Sequence, residues 1–126
     1  MRTIAEHKVN PANDRISIEV MDLPGAGGAC HEYLVTLPAP DNTAGTAAKS
    51  WQISFQNGPI NEAGVNGLTQ EVLLAIVADR LRSFQAGPFS CRENALALTK
   101  IEEAMHWLHS RTLGRMQRGV EGTHKA

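Results

Sequence analysis

Arg111, Arg115 and Arg118 are spaced i, i+4 and i+7, so a helix through them would line three guanidiniums along one face. Cations near a helix C-terminus are favoured by the macrodipole. Three aligned guanidiniums repel one another unless anions lie between them, and the arginine fork suits a diphosphate. A stabilising and a ligand-binding reading both follow from the spacing. The second informative stretch is Phe55-Gln56-Asn57-Gly58-Pro59-Ile60, followed by Gly64-Val65-Asn66-Gly67-Leu68-Thr69. A strand ends there, two Asn-Gly turns follow and a helix begins at once. Glycine lets a backbone approach a ligand closely, asparagine amides read polar edges, and a helix start offers N–H groups to an anion. A tight strand-to-helix connection with two positive φ angles accounts for the same residues.

Other constellations carry less. Gly25-Ala26-Gly27-Gly28 lacks the Lys-Ser/Thr ending of a phosphate-binding loop and no helical pattern follows it, so it reads as a hairpin connection. Glu103-Ala104-Met105-His106 has the Glu-x-x-His spacing of di-iron bundles, but such sites need two copies and this chain has one. His106 and His109 stand one helical turn apart without a third ligand in the pattern. No nucleophile sits in an elbow or comparable motif. The sequence assigns no catalytic residue, no metal ligand and no cofactor.

The elements that must position these residues fall into two halves. Ile16, Ile18 and Val20 alternate with polar residues, as do Tyr33, Val35 and Leu37, and Trp51, Ile53 and Phe55. Thr3 to Val9 adds a shorter strand. The links Pro24 to Ala29 and Pro38 to Lys49 read as loops, the second as a mobile one, and short links favour an antiparallel meander. Downstream, Thr69 is an N-cap candidate, and Val72, Leu73, Ile76, Val77 and Leu81 mark the apolar face of a helix that Gly87-Pro88 stops. Ser90-Cys91-Arg92-Glu93 reads as a capping box with Ser90 as the cap. The helix that follows buries Leu98, Ile101, Met105 and Leu108, and Leu96, Trp107 and Leu113 fall on other faces. At ~1.5 Å per residue it spans about 40 Å, more than one small domain needs, which predicts a homo-oligomer with this helix at its interfaces. The fold class is α+β. One domain covers residues 1–126, with a β-meander over 1–60, connecting turns over 61–68, an antiparallel helical hairpin over 69–118 and a tail over 119–126.

The bulk properties agree with a small globular protein: 42% hydrophobic, 20% charged, net charge −1. That balance offers no field for duplex nucleic acid, and no apolar run is long enough for a bilayer. The first ten residues lack the apolar core of a signal peptide, so Cys30 and Cys91 read as free thiols in a reducing compartment.

The motifs from Ile53 to Ile60 and Gly64 to Gly67 are followed in order by Asp79-Arg80-Leu81 and Phe84-Gln85-x-Gly87-Pro88-Phe89. Cys91-Arg92-Glu93-Asn94-Ala95-Leu96-Ala97-Leu98-Thr99-Lys100 and Arg118-Gly119-Val120-Glu121-Gly122-Thr123 complete the set. Together they resemble the phage-encoded Thoeris anti-defence sponges, a family that shares a C-terminal helical hairpin with the phage anti-CBASS sponges. The resemblance covers roughly residues 51–126 and includes no motif of the N-terminal meander. It implies an oligomer, with a hexamer favoured, that acts in the host bacterial cytoplasm during infection. Such a protein binds a cyclic ADP-ribose signal made by TIR-domain enzymes and holds it intact. Related members also take up cyclic di- or trinucleotides at a second site. On this reading the adenine stacks against Phe55 or a nearby arginine, Gln56 and Asn57 line the ligand site, and Asn66 and Gly67 face the diphosphate. Arg80, Arg92, Arg111, Arg115, Arg118 and the tail residue His124 supply further contacts. A nucleotide-processing enzyme using the same residues, with His106 or Glu103 as general base, and a phage structural or interaction protein are the alternatives.

Overall fold

The computed structural model describes residues 1–40 and 47–123 and divides into two compact units, Met1–Gly58 and Pro59–Ala126. His124 and part of the loop expected over residues 38–49 lie outside the described residues.

The first unit is a four-stranded antiparallel meander in the order β1 (Arg2–Ile4), β2 (Ser17–Val20), β3 (Glu32–Leu37) and β4 (Lys49–Ser54). Its register explains the alternation in the sequence. Ile18 lies opposite both Ile4 and Val35, Val20 opposite Arg2 and Tyr33, and Ile53 and Trp51 opposite Tyr33 and Val35. Directly opposed residues share a face, so these side chains form one apolar side with Val20 at its centre, 1% exposed. The reverse side is polar: Ser54 Oγ donates to Glu32 Oε2 at 2.6 Å, and Gln52 Nε2 to the same oxygen at 3.2 Å.

The strand expected over residues 3–9 stops at Ile4. Beyond a turn, Asn10 caps a one-turn helix, α1 (Pro11–Asp14), accepting from Asn13 N–H at 3.0 Å, with Pro11 at the position where its missing N–H costs nothing. The glycine-rich segment is, as expected, the connection between β2 and β3. It contains a single 3₁₀ turn, Ala26–Gly28, with Gly27 and Gly28 at φ of 73° and 78°. Asp22 anchors the start of this connection, its carboxylate accepting from the N–H groups of His31 and Glu32.

The second unit contains α2 (Ile60–Ala63), α3 (Gln70–Ala86) and α4 (Arg92–Gln117), and α3 and α4 form an antiparallel hairpin. Thr69 caps α3 as expected, its Oγ1 accepting from Val72 N–H at 3.3 Å. The helix ends at Ala86, before Gly87-Pro88. The α4 cap differs from expectation. Cys91, not Ser90, is the N-cap, and its Sγ accepts from Asn94 N–H at 3.4 Å. The serine–glutamate capping box therefore does not form; its register is displaced by one residue. Cys91 N–H in turn donates to Gln85 Oε1, fixing the short link between the helices.

The packed face of α3 also departs from the expected one. Leu74, Ala78, Leu81 and Gln85 are covered, with Ala78 wholly buried, whereas Ile76 is 55% exposed and Val72 and Val77 are 42% exposed. A helix with apolar residues around most of its circumference can pack on either side. Ala78 lets α4 approach closely, and of the expected set Leu73 and Leu81 are half-buried, as Leu74 is. On α4 the expected stripe of Leu98, Ile101, Met105 and Leu108 is covered, and Leu96, Trp107 and Leu113 face outward.

Candidate ligand-binding site

Within the first unit, Phe55 continues the β4 edge: its N–H donates to His31 carbonyl at 2.8 Å. Its ring meets Tyr33 edge to face, centroids 5.6 Å apart and planes at 89°. The pairing holds the Phe55 ring in one orientation, as a stacking platform requires. Gln56 turns back on the chain, Nε2 donating to Gly58 carbonyl at 3.0 Å, and Gly58 takes φ 91°. Asn57 Oδ1 lies beside Gly25, 3.7 Å from where a β-carbon would stand, and His31 Cδ2 is 3.4 Å from the same point. His31 is 7% exposed, and its Nε2 lies 3.0 Å from Ala26 carbonyl. The glycine-rich connection thus closes over His31 and borders Asn57. Tyr33 and His31 were not among the residues the sequence singled out. Tyr33 was legible in principle, because it shares a strand face with Ile53 and hence with Phe55. The contact of Gly25 with Asn57 leaves no local signal.

In the second unit the helix does not begin at once. The turn α2 intervenes, ending at Gly64 with φ 72°, so the left-handed glycines are Gly58 and Gly64. Asn66 is exposed and Gly67 half-buried, three and two residues before the Thr69 cap. Arg80 lies over the Phe84 ring, 5.5 Å from its centroid, a cation–π contact that steers the guanidinium along the outward side of α3. Arg92 is the first residue of α4, exposed at the positive end of the helix dipole.

The arginine stripe is broken. Arg111 and Arg118 are exposed, and Arg118 Nε approaches Gly114 carbonyl at 3.4 Å. Arg115 is 7% exposed and turned inward. Its Nε donates to Glu121 Oε2 at 3.2 Å, and its Nη2 to the carbonyls of Val120 and Thr123 at 3.0 and 3.1 Å. Helical spacing placed the three residues on one side, but the chain after α4 folds back over the middle one. Gly119, at φ 72°, ends the helix: its N–H donates to Met116 carbonyl and Val120 N–H to Arg115 carbonyl, the paired bonds of a Schellman motif. The tail then reaches α2, where Asn61 N–H donates to Gly122 carbonyl at 3.1 Å and Asn61 Nδ2 lies 3.5 Å from Glu121 carbonyl. Glu121, absent from the sequence-based set, is therefore the charge partner of Arg115, and Asn61, also absent from it, anchors the loop that covers the guanidinium. His106, read as a possible base or ligand, stacks edge to face on Trp107 with centroids 5.1 Å apart. Among the described residues no three His, Cys, Asp or Glu side chains gather as a metal site would require.

The second unit is thus a capped helical hairpin with a short helix at its entry and a folded-back tail at its exit. The family model described as Acb2/Tad1, hairpin domain, matches residues 50–113, just over half of the chain, and the chain belongs to that family. The resemblance drawn from the ordered motifs is borne out. One relative, Thoeris anti-defense 1 of Bacillus phage SBSphiJ7, is 54% identical over 79 residues. These residues are 63% of this chain and 56% of the relative, so the chain matches little more than half of that protein's length. The span matched by the family model contains Phe55, Gln56, Asn57, Asn66, Gly67, Arg80, Arg92 and Arg111.

Proposed function

We propose that this chain is a phage anti-defence protein that binds cyclic nucleotide immune signals of the cyclic ADP-ribose type and holds them uncleaved. It acts as a homo-oligomer, a hexamer in the favoured form, in the cytoplasm of an infected bacterium. The observation that carries the reading is its 54% identity to a phage protein named for Thoeris anti-defence. The local chemistry supports it. Phe55, oriented by Tyr33, offers a face for adenine, and Asn66-Gly67 presents amides just ahead of a 17-residue helix whose N-terminal dipole favours a diphosphate. Arg80 and Arg92 supply exposed cations. Arg111 serves a second site for cyclic di- or trinucleotides on the symmetric assembly.

Removing a scarce signal requires a nanomolar dissociation constant, about −12 kcal/mol. Charge-assisted bonds contribute ~1.5–3 kcal/mol per phosphate and stacking ~1–3 kcal/mol per base. For two phosphates and one base that is about 4–9 kcal/mol, already short of the requirement, so ordering loops on binding would weaken uptake further and the turns must be held in advance.

The test is to incubate the protein with cyclic ADP-ribose, separate the complex, denature it and identify what is released. Intact ligand is the expected result. A processed product would make the protein an enzyme, and no retention would leave an assembly or scaffold role. Phe55→Ala and Asn66→Ala should each weaken uptake at least tenfold with the oligomer unchanged; normal binding by both variants would reject the site.

A further inference from the structure

We infer that Arg115, Glu121 and Gly122 form a buckle that positions the Asn66-Gly67 turn, so that Arg115 serves the ligand site by holding the chain rather than by touching the ligand. This rests on the proposed role of that turn in binding.

Arg115 is buried. A guanidinium removed from water is costly unless its charge and its donors are met. Here Glu121 meets the charge, and the carbonyls of Val120 and Thr123 meet further donors. All three partners lie within eight residues of Arg115, on a segment that would otherwise be a solvated tail. The guanidinium therefore shapes residues 119–123 into a fixed loop, with Gly119 and Gly122 supplying the two left-handed backbone positions.

That loop has one further outlet. Gly122 carbonyl accepts from Asn61 N–H, and Glu121 carbonyl lies within reach of Asn61 Nδ2. The approach is close: a β-carbon at Gly122 would stand 2.8 Å from Ile60 Cγ1 and 3.0 Å from Asn61 Cγ. Gly122 is thus required both by its φ of 78° and by contact with α2. A helix of four residues is too short to hold itself together in water, so α2 depends on this contact. Residues 64–68 then run between two fixed points, the buckled α2 and the Thr69 cap of α3. Asn66 sits in the middle of that span. Its preorganisation is what the binding arithmetic demands, and the buckle supplies one of the two ends.

A purely structural buckle would affect stability alone, so the test reads coupling. Hydrogen exchange of the full-length protein is measured first for Gly122→Ala and for the milder Glu121→Gln. The amides of residues 61–67 should exchange faster in both variants, more so in Gly122→Ala, while the interiors of α3 and α4 stay protected. Uptake of cyclic ADP-ribose by Gly122→Ala should fall at least tenfold. In an Asn66→Ala background the same substitution should have little additional effect, because the buckle acts through that residue. Two results would overturn the proposal: unchanged exchange over residues 61–67, or a loss of uptake that adds in full to that of Asn66→Ala. If Asn66→Ala alone binds normally, the ligand-site reading fails instead, and exchange still decides whether the buckle exists. Should Gly122→Ala not fold, Glu121→Gln carries the same comparison.

Discussion

Among single residues, Asp22 shows how one carboxylate organises a loop. The His31 N–H donates to both its oxygens and is the main reason its pKa lies below the ordinary carboxylate value; partial burial opposes this, and the Glu32 N–H adds to it. A carboxylate with a depressed folded pKa contributes stability that is present above the unfolded value and is lost as pH falls through the folded one. Titration followed by NMR should therefore show the His31 and Glu32 amides shifting together, with a midpoint below the usual aspartate range. Asp22→Asn should abolish that shift and flatten the acid limb of stability for the strands. A midpoint at or above the ordinary value would contradict the role assigned to these bonds. Arg115 teaches a different lesson at the same scale. Its spacing from Arg111 and Arg118 was visible in the sequence, but its burial depends on a chain reversal set by Gly119 and Gly122, which helical periodicity does not encode.

At the level of elements, the α4 cap makes a quantitative case. A thiol is a weaker acceptor than a hydroxyl, and the Cys91 Sγ to Asn94 N distance of 3.4 Å reflects a long sulfur contact. Since good N-caps are worth about 0.5–2 kcal/mol over alanine, Cys91→Ser should raise the melting temperature by a few degrees at fixed protein concentration. A lower melting temperature would show that the sulfur makes a contact beyond capping. The same level explains what was legible. The period of two set the meander and even its inward residues, because a sheet with one polar face leaves only one register. Thr69 and Gly87-Pro88 set the ends of α3, because caps and breakers are local chemistry. The covered face of α3 keeps Leu73 and Leu81 of the expected set but not Val72, Ile76 and Val77, which are as apolar as Leu74 and which only packing against α4 distinguishes. The short helix α2 was missed because its four residues carry no periodicity to read.

For the whole molecule, the distribution of burial is the main argument. Among the described residues only Val20 and Ala78 are fully buried apolar side chains, while Trp107 is 69% exposed and Leu113, Met116 and Ile76 exceed half. Fully burying one such large side chain contributes about 1.5–3 kcal/mol, so an isolated chain forgoes much of the stabilisation its composition offers. The proposed association through the outward faces of α3 and α4 would recover it. Light scattering at micromolar concentration should give a mass several times that of one 13.6 kDa chain, and Trp107→Glu should lower that mass while leaving the hairpin helical. A monomeric mass for the unmodified protein would sink the oligomer proposal.

The folded-back tail also bears on the gene's tolerance of truncation. A stop codon after Gln117 would leave α4 at full length, so the loss would look harmless on a map of secondary structure. Yet it would delete the carboxylate and both carbonyls that Arg115 engages, together with the segment that covers it, so the guanidinium would return to water and Asn61 would lose the Gly122 carbonyl. A stop at that point should therefore speed hydrogen exchange over residues 61–67 and weaken uptake of cyclic ADP-ribose, although both long helices remain.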